Sequence, residues 1–289
     1  MSVCTVSIII VNYNTKALCS QTIQTVLETV QNASYEVLVV DNSSEEQERY
    51  DAQDPHVIVF SGIENRGFGH ACNWGARHAK GKYLLFLNSD TLLDPHALDD
   101  SIAYMEAHPD IGALGIRTTL ADGRFDAGCK RGFPTPVNSL CYFLGLDRRY
   151  PNHPKFGGYH LTYLSIEETH DVDAVSGAFL LVPRDLFLQL DGFDEDFFMY
   201  GEDLDLCYRI KEQGKRVVYY AQAHMVHLKG QSGLSDKSPK VIQSFYQAMR
   251  LFYDKHYLDR YSCITTGLVH GAIRCKYYLA MRNNKGSNK

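Results

Sequence analysis

The sequence predicts an α/β fold: a mostly parallel central sheet flanked by helices, followed by a C-terminal helical extension. Three observations carry this. Short apolar runs rich in β-branched residues recur through the first 120 positions, as buried parallel strands require. Helix-like segments separate them, which is the rhythm of crossover-connected strands. The runs end in polar clusters, Asn12-Tyr13-Asn14, Asp41-Asn42 and Asn88-Ser89-Asp90. Sheets of this kind bind ligands at the carboxyl ends of their strands.

The elements follow in order. Residues 7–11 (SIIIV) form the first strand. Asn14 or Thr15 caps the next helix, whose apolar stripe is Leu18, Val26, Leu27 and Val30. Residues 36–40 (EVLVV), 56–60 (HVIVF) and 83–87 (YLLFL) are strands, and 67–79 is a helix. Pro95 opens a helix to about 108, because proline fits a first helical turn, with Asp94 as its cap. Residues 111–116 are another strand. Residues 118–170, with four prolines and a Gly157-Gly158 pair, read as long loops. Beyond them come a strand over 173–182, a helix near 184–190 and a helix over 202–213 closed by Gly214. A strand at 215–220 precedes helices over 239–256 and 263–281, and 283–289 reads as a disordered end.

At 289 residues the chain is one large domain or two smaller ones. With 45% hydrophobic and 22% charged residues, it is not a disordered chain, a collagen or a coiled-coil rod. A net charge of −5 argues against nucleic acid as a partner. The charge is uneven. Over residues 240–289 basic side chains outnumber acidic ones nine to two, while the rest of the chain is acidic. The eight cysteines form no CxxC pair, so free thiols in a reducing cytosol are expected. No stretch reaches the ~18 apolar residues that span a bilayer. The expected location is cytoplasmic, either soluble or peripheral on the inner face of the cell membrane.

Several clusters suggest chemistry. Gly67-Phe68-Gly69-His70-Ala71-Cys72 is a poor dinucleotide fingerprint, because it does not follow the first strand. Asp90 closes an apolar strand, where a carboxylate needs a partner. A divalent cation shared with substrate phosphates is one, and a turn or helix cap is another. Asp41 ends a strand in the same layer and suits either a nucleobase N–H or an Asx-turn. Residues 194–205 carry six acidic side chains among aromatics. Acids suit a helix N-terminus, and a crowded carboxylate also suits a general base. On helical spacing Arg209 can pair with Asp205 and leave Asp203 available. His224 and His227 lack a third ligand at zinc spacing, so one of them beside Asp90 is the metal option.

Taken in order, these segments resemble family 2 glycosyltransferases of the GT-A fold over roughly residues 5–232. Val11-Asn12-Tyr13-Asn14 is similar to the family's first-strand motif, and Val39 to Ser44 to its nucleoside-binding aspartate loop. Asn65-Arg66-Gly67-Phe68-Gly69 with Asn73 and Gly75 is similar to its NxGFxxxxNxG segment. Asn88-Ser89-Asp90 stands where the family has a DxD metal motif, with one carboxylate lost. Ser176-Gly177-Ala178-Phe179, the GFDEDFF run and Gly201-Glu202-Asp203-Leu204-Asp205 match its acceptor and base segments. His227 with Gly230 and Ser232 is similar to its HxxGxS ending. The NSD form and GFDEDFFMYGEDxDLCxR look most like bacterial rhamnosyltransferases that use dTDP-L-rhamnose.

The resemblance implies a GT-A catalytic domain over 1–232, an extension over 233–289, and inverting transfer from a nucleotide-diphosphate sugar. It implies Asp203 as base beside Glu202. Val11, Tyr13, Asn14, Asp41, Asn65, Gly67, Asn73, Ser89 and Asp90 are implied on the donor-nucleotide side. Ser176, Gly177, Tyr200 and Glu202 are implied on the acceptor side, with Asp90 and His227 holding Mg²⁺ or Mn²⁺. The acceptor would be a glycan or a lipid-linked glycan of bacterial cell-surface polysaccharide synthesis. A UDP-sugar donor and a non-catalytic nucleotide-sugar-binding scaffold are the rival expectations. The basic tail, which interleaves Lys/Arg with Phe/Tyr, suits a membrane surface, the catalytic domain itself, or a second copy in a homodimer.

Overall fold

The computed structural model describes residues 4–52, 54–228 and 238–287. The first half alternates as expected: β1 (Val6–Asn12), α1 (Lys16–Thr29), β2 (Tyr35–Asp41), β3 (Val57–Ser61), α2 (Phe68–His78), β4 (Tyr83–Asn88), β5 (Thr91–Leu93), α3 (Ala97–Ala107) and β6 (Ile111–Leu120). The middle contributes β7 (Lys130–Arg131), α4 (Pro136–Phe143), α5 (Leu146–Arg149), β8 (His170–Asp171) and β9 (Ala174–Val175). Then come β10 (Phe179–Pro183), α6 (Arg184–Gln189), α7 (Glu202–Glu212), β11 (Arg216–His227), α8 (Pro239–Tyr257) and α9 (Cys263–Ser287).

The main sheet runs β3-β2-β1-β4-β10-β6-β11-β5, with β8 also paired to β11. Strands β3, β2, β1 and β4 are mutually parallel, and β10 lies antiparallel between β4 and β6. Because β11 pairs parallel with β6, its C-terminal end falls on the same edge as those of β1, β2 and β4. Alternation along the strands sorts the core into two layers. Ile8, Ile10, Val37, Val39, Leu85 and Leu87 face α1 and α3. Ile9, Leu38, Leu84 and Phe86 face the layer of α2, α7 and α8. Ala248, Phe252, Tyr253 and Tyr257 of α8 belong to this second layer, so the extension packs into the core. The 232/233 boundary lies outside the described residues.

Several expected elements differ. The strand expected over 173–182 is broken into β9 and β10. Asp203 takes the Gly177 amide at 2.9 Å and Ser176 Oγ takes the Ala178 amide at 3.2 Å, so both leave the ladder. The segment expected as loops is pinned by β7, where buried Lys130 donates to the Leu161 and Leu164 carbonyls at 2.8 and 3.2 Å. Asp94 does not cap α3: the helix starts after His96, and Asp94 pairs with His224 Nδ1 at 2.7 Å. Neither Asn14 nor Thr15 caps α1 through its side chain: Thr15 holds the N-cap position but gives its hydroxyl to Asn12 Oδ1 at 3.1 Å, and Asn14 bonds to Ser44 and Glu45. Strand β11 continues past 220 through a register shift to His227. Helix α9 continues to Ser287, beyond the end expected near 281. All eight cysteines are unpaired, and five are buried. Among the described residues, no helix is long and apolar enough to cross a membrane.

Candidate active site

The carboxyl edge of β1, β2, β4 and β11 opens into a cavity of about 1000 Å³. Val11, Tyr13, Asn65, Gly67, Ser89, Asp90 and His227 line one part of it. Ser176, Gly177, Tyr200, Glu202 and Asp203 line another. Twelve of the expected site residues therefore share one space, although they come from segments up to 216 positions apart.

Three expected residues are not on its wall. Asp41 is buried beneath, where its carboxylate accepts from Asn12 Nδ2 at 2.9 Å, the Ser43 amide at 3.0 Å and the Tyr50 amide at 2.6 Å. This is the Asx-turn alternative, and it places Asn42 on the cavity wall instead. Asn14, at φ 55°, bonds to Ser44 Oγ and the Glu45 amide and shapes the same turn from outside. Asn73 bridges α2 to the 193–195 loop. It donates to the Phe193 carbonyl at 2.8 Å and Glu195 Oε1 at 3.1 Å, and accepts from the Phe193 amide at 2.9 Å. Gly67 has a steric role as well. At φ 115° a Cβ would lie 2.4 Å from the Phe198 carbonyl, so only glycine lets this loop close on the 194–201 segment.

The expected cation position lies where two strand ends meet. His227 Nε2 lies 3.1 Å from Asp90 Oδ1 and 3.5 Å from Asn88 Nδ2. Its Nδ1 faces Asp126 Oδ2 at 3.5 Å. Burial pushes the imidazole pKa down, but Asp126 and Asp90 outweigh it and raise it to about 9. A histidine held between two buried carboxylates marks a place that favours positive charge. Among the described residues no group of three side chains forms a metal site. Asp90 and His227 suit a cation whose other ligands are substrate phosphates and water, the usual situation for Mg²⁺. Gly230 and Ser232 of the expected HxxGxS ending lie outside the described residues. His224 bonds to Asp94 and Thr119 and is absent from the cavity wall.

The base position is built on the first turn of α7. Arg209 pairs with Asp205 at 2.8 Å, as expected. Asp203, however, is not left alone. It accepts from Arg131 Nη2 at 2.6 Å, the Gly177 amide at 2.9 Å and the Leu204 amide at 2.7 Å. Arg131 is largely buried, yet Asp203 and Tyr159 keep it firmly charged against the effect of burial. Glu202 is buried beside it, and its Oε2 has no hydrogen-bond partner among the described residues. Burial and the neighbouring Asp203 raise its pKa to about 8. The two carboxylates thus differ: one holds a cation, and the other favours a proton.

Arg131, Asp126, Thr15 and Asn42 line the same cavity and were not among the expected site residues. Thr15 Oγ1 lies 3.2 Å from Ser89 Oγ and ties the first loop to the Asn88-Ser89-Asp90 turn. Arg131 sits in a two-residue strand with no periodicity to mark it. The pair Lys130-Arg131 gave one usable signal: two basic residues inside an apolar, proline-rich stretch.

A parallel α/β sheet whose carboxyl edge opens into a cavity with a cation position and a buried carboxylate pair is the GT-A glycosyltransferase arrangement. Residues 7–165 match the glycosyl transferase family 2 profile, and the chain belongs to that family. It is 29% identical over 244 residues to the O-antigen biosynthesis protein RfbC of Myxococcus xanthus, covering 81% of this chain and 18% of that protein. It is 31% identical over 170 residues to the rhamnosyltransferase WbbL of Escherichia coli strain K12, covering 56% and 60%. The chain thus spans less than two thirds of either relative. Among solved structures, the mannosyltransferase PcManGT of Pyrobaculum calidifontis, in complex with GDP-Man and Mn²⁺, superposes with a TM-score of 0.61 at 18% identity. The match covers 97% of this chain and 73% of that one, and it shows a shared fold.

Proposed function

We propose that this protein is an inverting glycosyltransferase that moves a sugar from a nucleotide-diphosphate donor to an acceptor hydroxyl. The observation that carries the reading is the shared cavity, whose wall includes Asp90, His227 and Asp203. A leaving diphosphate and an attacking hydroxyl need those two environments within one donor's length.

The donor nucleotide lies along Val11, Tyr13, Asn65 and Gly67, and Asp41 supports it from beneath by fixing the turn that carries Asn42. Asp90 and His227 would hold a divalent cation, Mg²⁺ or Mn²⁺, which would supply positive charge for the departing diphosphate. PcManGT, crystallised with Mn²⁺, supports a divalent ion. Ser176, Gly177 and Tyr200 bound the acceptor side. Asp203 accepts the hydroxyl proton as the oxygen attacks the anomeric carbon, while Arg131 keeps that carboxylate oriented. The rhamnosyltransferase name of WbbL favours dTDP-L-rhamnose as donor. The O-antigen name of RfbC favours a glycan or lipid-linked glycan acceptor in surface polysaccharide synthesis. Eight unpaired cysteines support a reducing, cytoplasmic setting.

The test is a donor screen with dTDP-L-rhamnose, UDP-hexoses and GDP-mannose, with and without Mn²⁺. Base catalysis contributes about 10²–10⁴ in rate, so Asp203→Asn lowers kcat by at least a hundredfold while calorimetric nucleotide affinity stays put. A loss of only a few-fold removes Asp203 from the base role. Asn88, in place of a carboxylate, favours one other reading, the non-catalytic scaffold. Nucleotide-sugar binding without turnover of any donor would establish it.

A further inference from the structure

The cavity has two chemically different ends. The inner end is the polar strand edge. The outer end lies between α4 and α9 and is lined by Val137, Leu140, Leu144 and Leu268. These are not buried: Leu144 is 64% and Leu268 70% exposed. Along α9, Ile264, Leu268, Cys275 and Leu279 fall on one helix face, and all are exposed. Contiguous apolar surface of this kind marks an interaction site.

This face is firmly held. Tyr253 Oη lies 3.0 Å from Thr266 Oγ1, and His270 Nε2 lies 2.6 Å from Asp254 Oδ1, so α9 is fixed on α8. Lys276 Nζ sits 3.9 Å from the Phe143 ring centre and bridges α9 to α4. Its charge has one sign. From Cys263 to the end there is no acidic residue, and Arg274 and Arg282 are exposed beside the apolar row. Across the mouth Arg148 and Arg149 are exposed, while Asp147 between them and α4 is buried.

We propose that the α4–α9 face docks on an anionic lipid bilayer and sets the outer mouth of the cavity against the headgroups. An apolar row flanked only by cations fits an interfacial helix on such a surface. A second copy meeting the same face would bring like charges together. The use of this docking rests on the proposed transfer reaction: an acceptor carried on a hydrocarbon anchor reaches Asp203 without leaving the bilayer.

The experiment is co-sedimentation of the full chain with phosphatidylcholine vesicles, with and without phosphatidylglycerol, over a salt series. The wild type partitions onto the phosphatidylglycerol vesicles, less so as salt rises. Ile264→Glu with Leu279→Glu lowers partition by about tenfold or more, since two buried apolar contacts become charges. Arg274→Gln with Arg282→Gln lowers it by about tenfold, on anionic vesicles only. Ile58→Glu, on the distant strand β3, leaves it unchanged. Turnover with a short water-soluble acceptor stays at the wild-type level in the Ile264/Leu279 variant, which separates this proposal from the transfer reading. An inactive wild type whose partition still follows these variants would sink the transfer reading and support the docking face. Equal partition by the wild type and both α9 variants overturns the proposal. So does equal loss with Ile58→Glu, or a solution dimer that the Ile264/Leu279 variant dissolves without any vesicle binding.

Discussion

The two walls of the cavity hold their charged groups by different means. Beneath the proposed donor wall, polar side chains are fixed by hydrogen bonds among the parallel strand ends and their loops. Asp41 takes Asn12 from the adjacent strand and the Tyr50 amide nine residues on. On the proposed base wall, the carboxylates of α7 are held by side chains from β7 and α8. Arg131 reaches Asp203 across 72 positions, and His256 reaches Asp205 across 51. The donor wall is therefore a product of strand order, whereas the base wall is an ionic assembly on α7 that depends on β7 and α8.

The sharpest way to break this contrast is to remove the anchor between α7 and α8. Asp205 is fully buried and meets Arg209, Lys255 and His256, each at 2.8 Å. Burial pushes its carboxyl pKa up, but His256, Arg209 and Lys255 outweigh it and bring it to about 2. Asp205→Asn leaves Arg209 and Lys255 facing an amide and costs about 3–5 kcal/mol, the scale of a broken buried pair. Chemical denaturation measures it. The sign against pH is fixed. The folded pKa lies below the ordinary 3.8, so this stabilisation is present above about pH 4 and is lost as pH falls toward 2. The gap between wild type and variant should narrow toward that acid end by at most about 2.4 kcal/mol, the equivalent of a pKa difference between 3.8 and about 2. A constant gap between them down to pH 2 would place the cost in packing rather than charge.

A smaller effect is expected from Arg131→Met. It removes one charge-assisted contact to Asp203, worth ~2–3 kcal/mol, and so lowers kcat by about 100-fold with donor affinity unchanged. An equal loss of donor affinity would make Arg131 a packing residue of β7 only.

The same contrast explains what the sequence revealed. Strands β1 to β4 and helices α2 and α7 were legible because continuous apolar runs, glycines and caps are local signals. Their polar ends were legible as a site for the same reason. Within that site the sequence could not tell a residue on the wall from one just beneath it. Asp41 and Asn73 carry the right chemistry but are used by turns and by the 193–195 loop. The break between β9 and β10 was invisible, because the carboxylate that takes the Gly177 amide comes from Asp203, 26 positions away. Arg131 was invisible for a related reason: a two-residue strand has no period, and nothing local says which of two adjacent cations turns inward.

An effect of the opposite sign concerns two buried acids on the first turn of α7. Glu202 and Asp205 are both buried, yet their surroundings act in opposite directions. Glu202 has no cation of its own. Burial and Asp203 raise its pKa from 4.5 to about 8. A raised folded pKa means that the folded state binds more protons than the unfolded state between those values. Its contribution is thus fully present below about pH 4.5 and is lost as pH rises through 8, the reverse of Asp205. One proton is involved, so the slope cannot exceed about 1.4 kcal/mol per pH unit. Glu202→Gln keeps the neutral shape and removes the titration. The variant should come nearest to wild type at about pH 4 and be the more stable of the two at pH 9, as read from urea midpoints. Should the two curves stay parallel across that range, Glu202 is ionised in the folded protein, and the division of roles between it and Asp203 fails. Should they diverge as stated, Glu202 is neutral in the folded protein, and in the proposed reaction Asp203 would meet the acceptor hydroxyl without a second anion beside it.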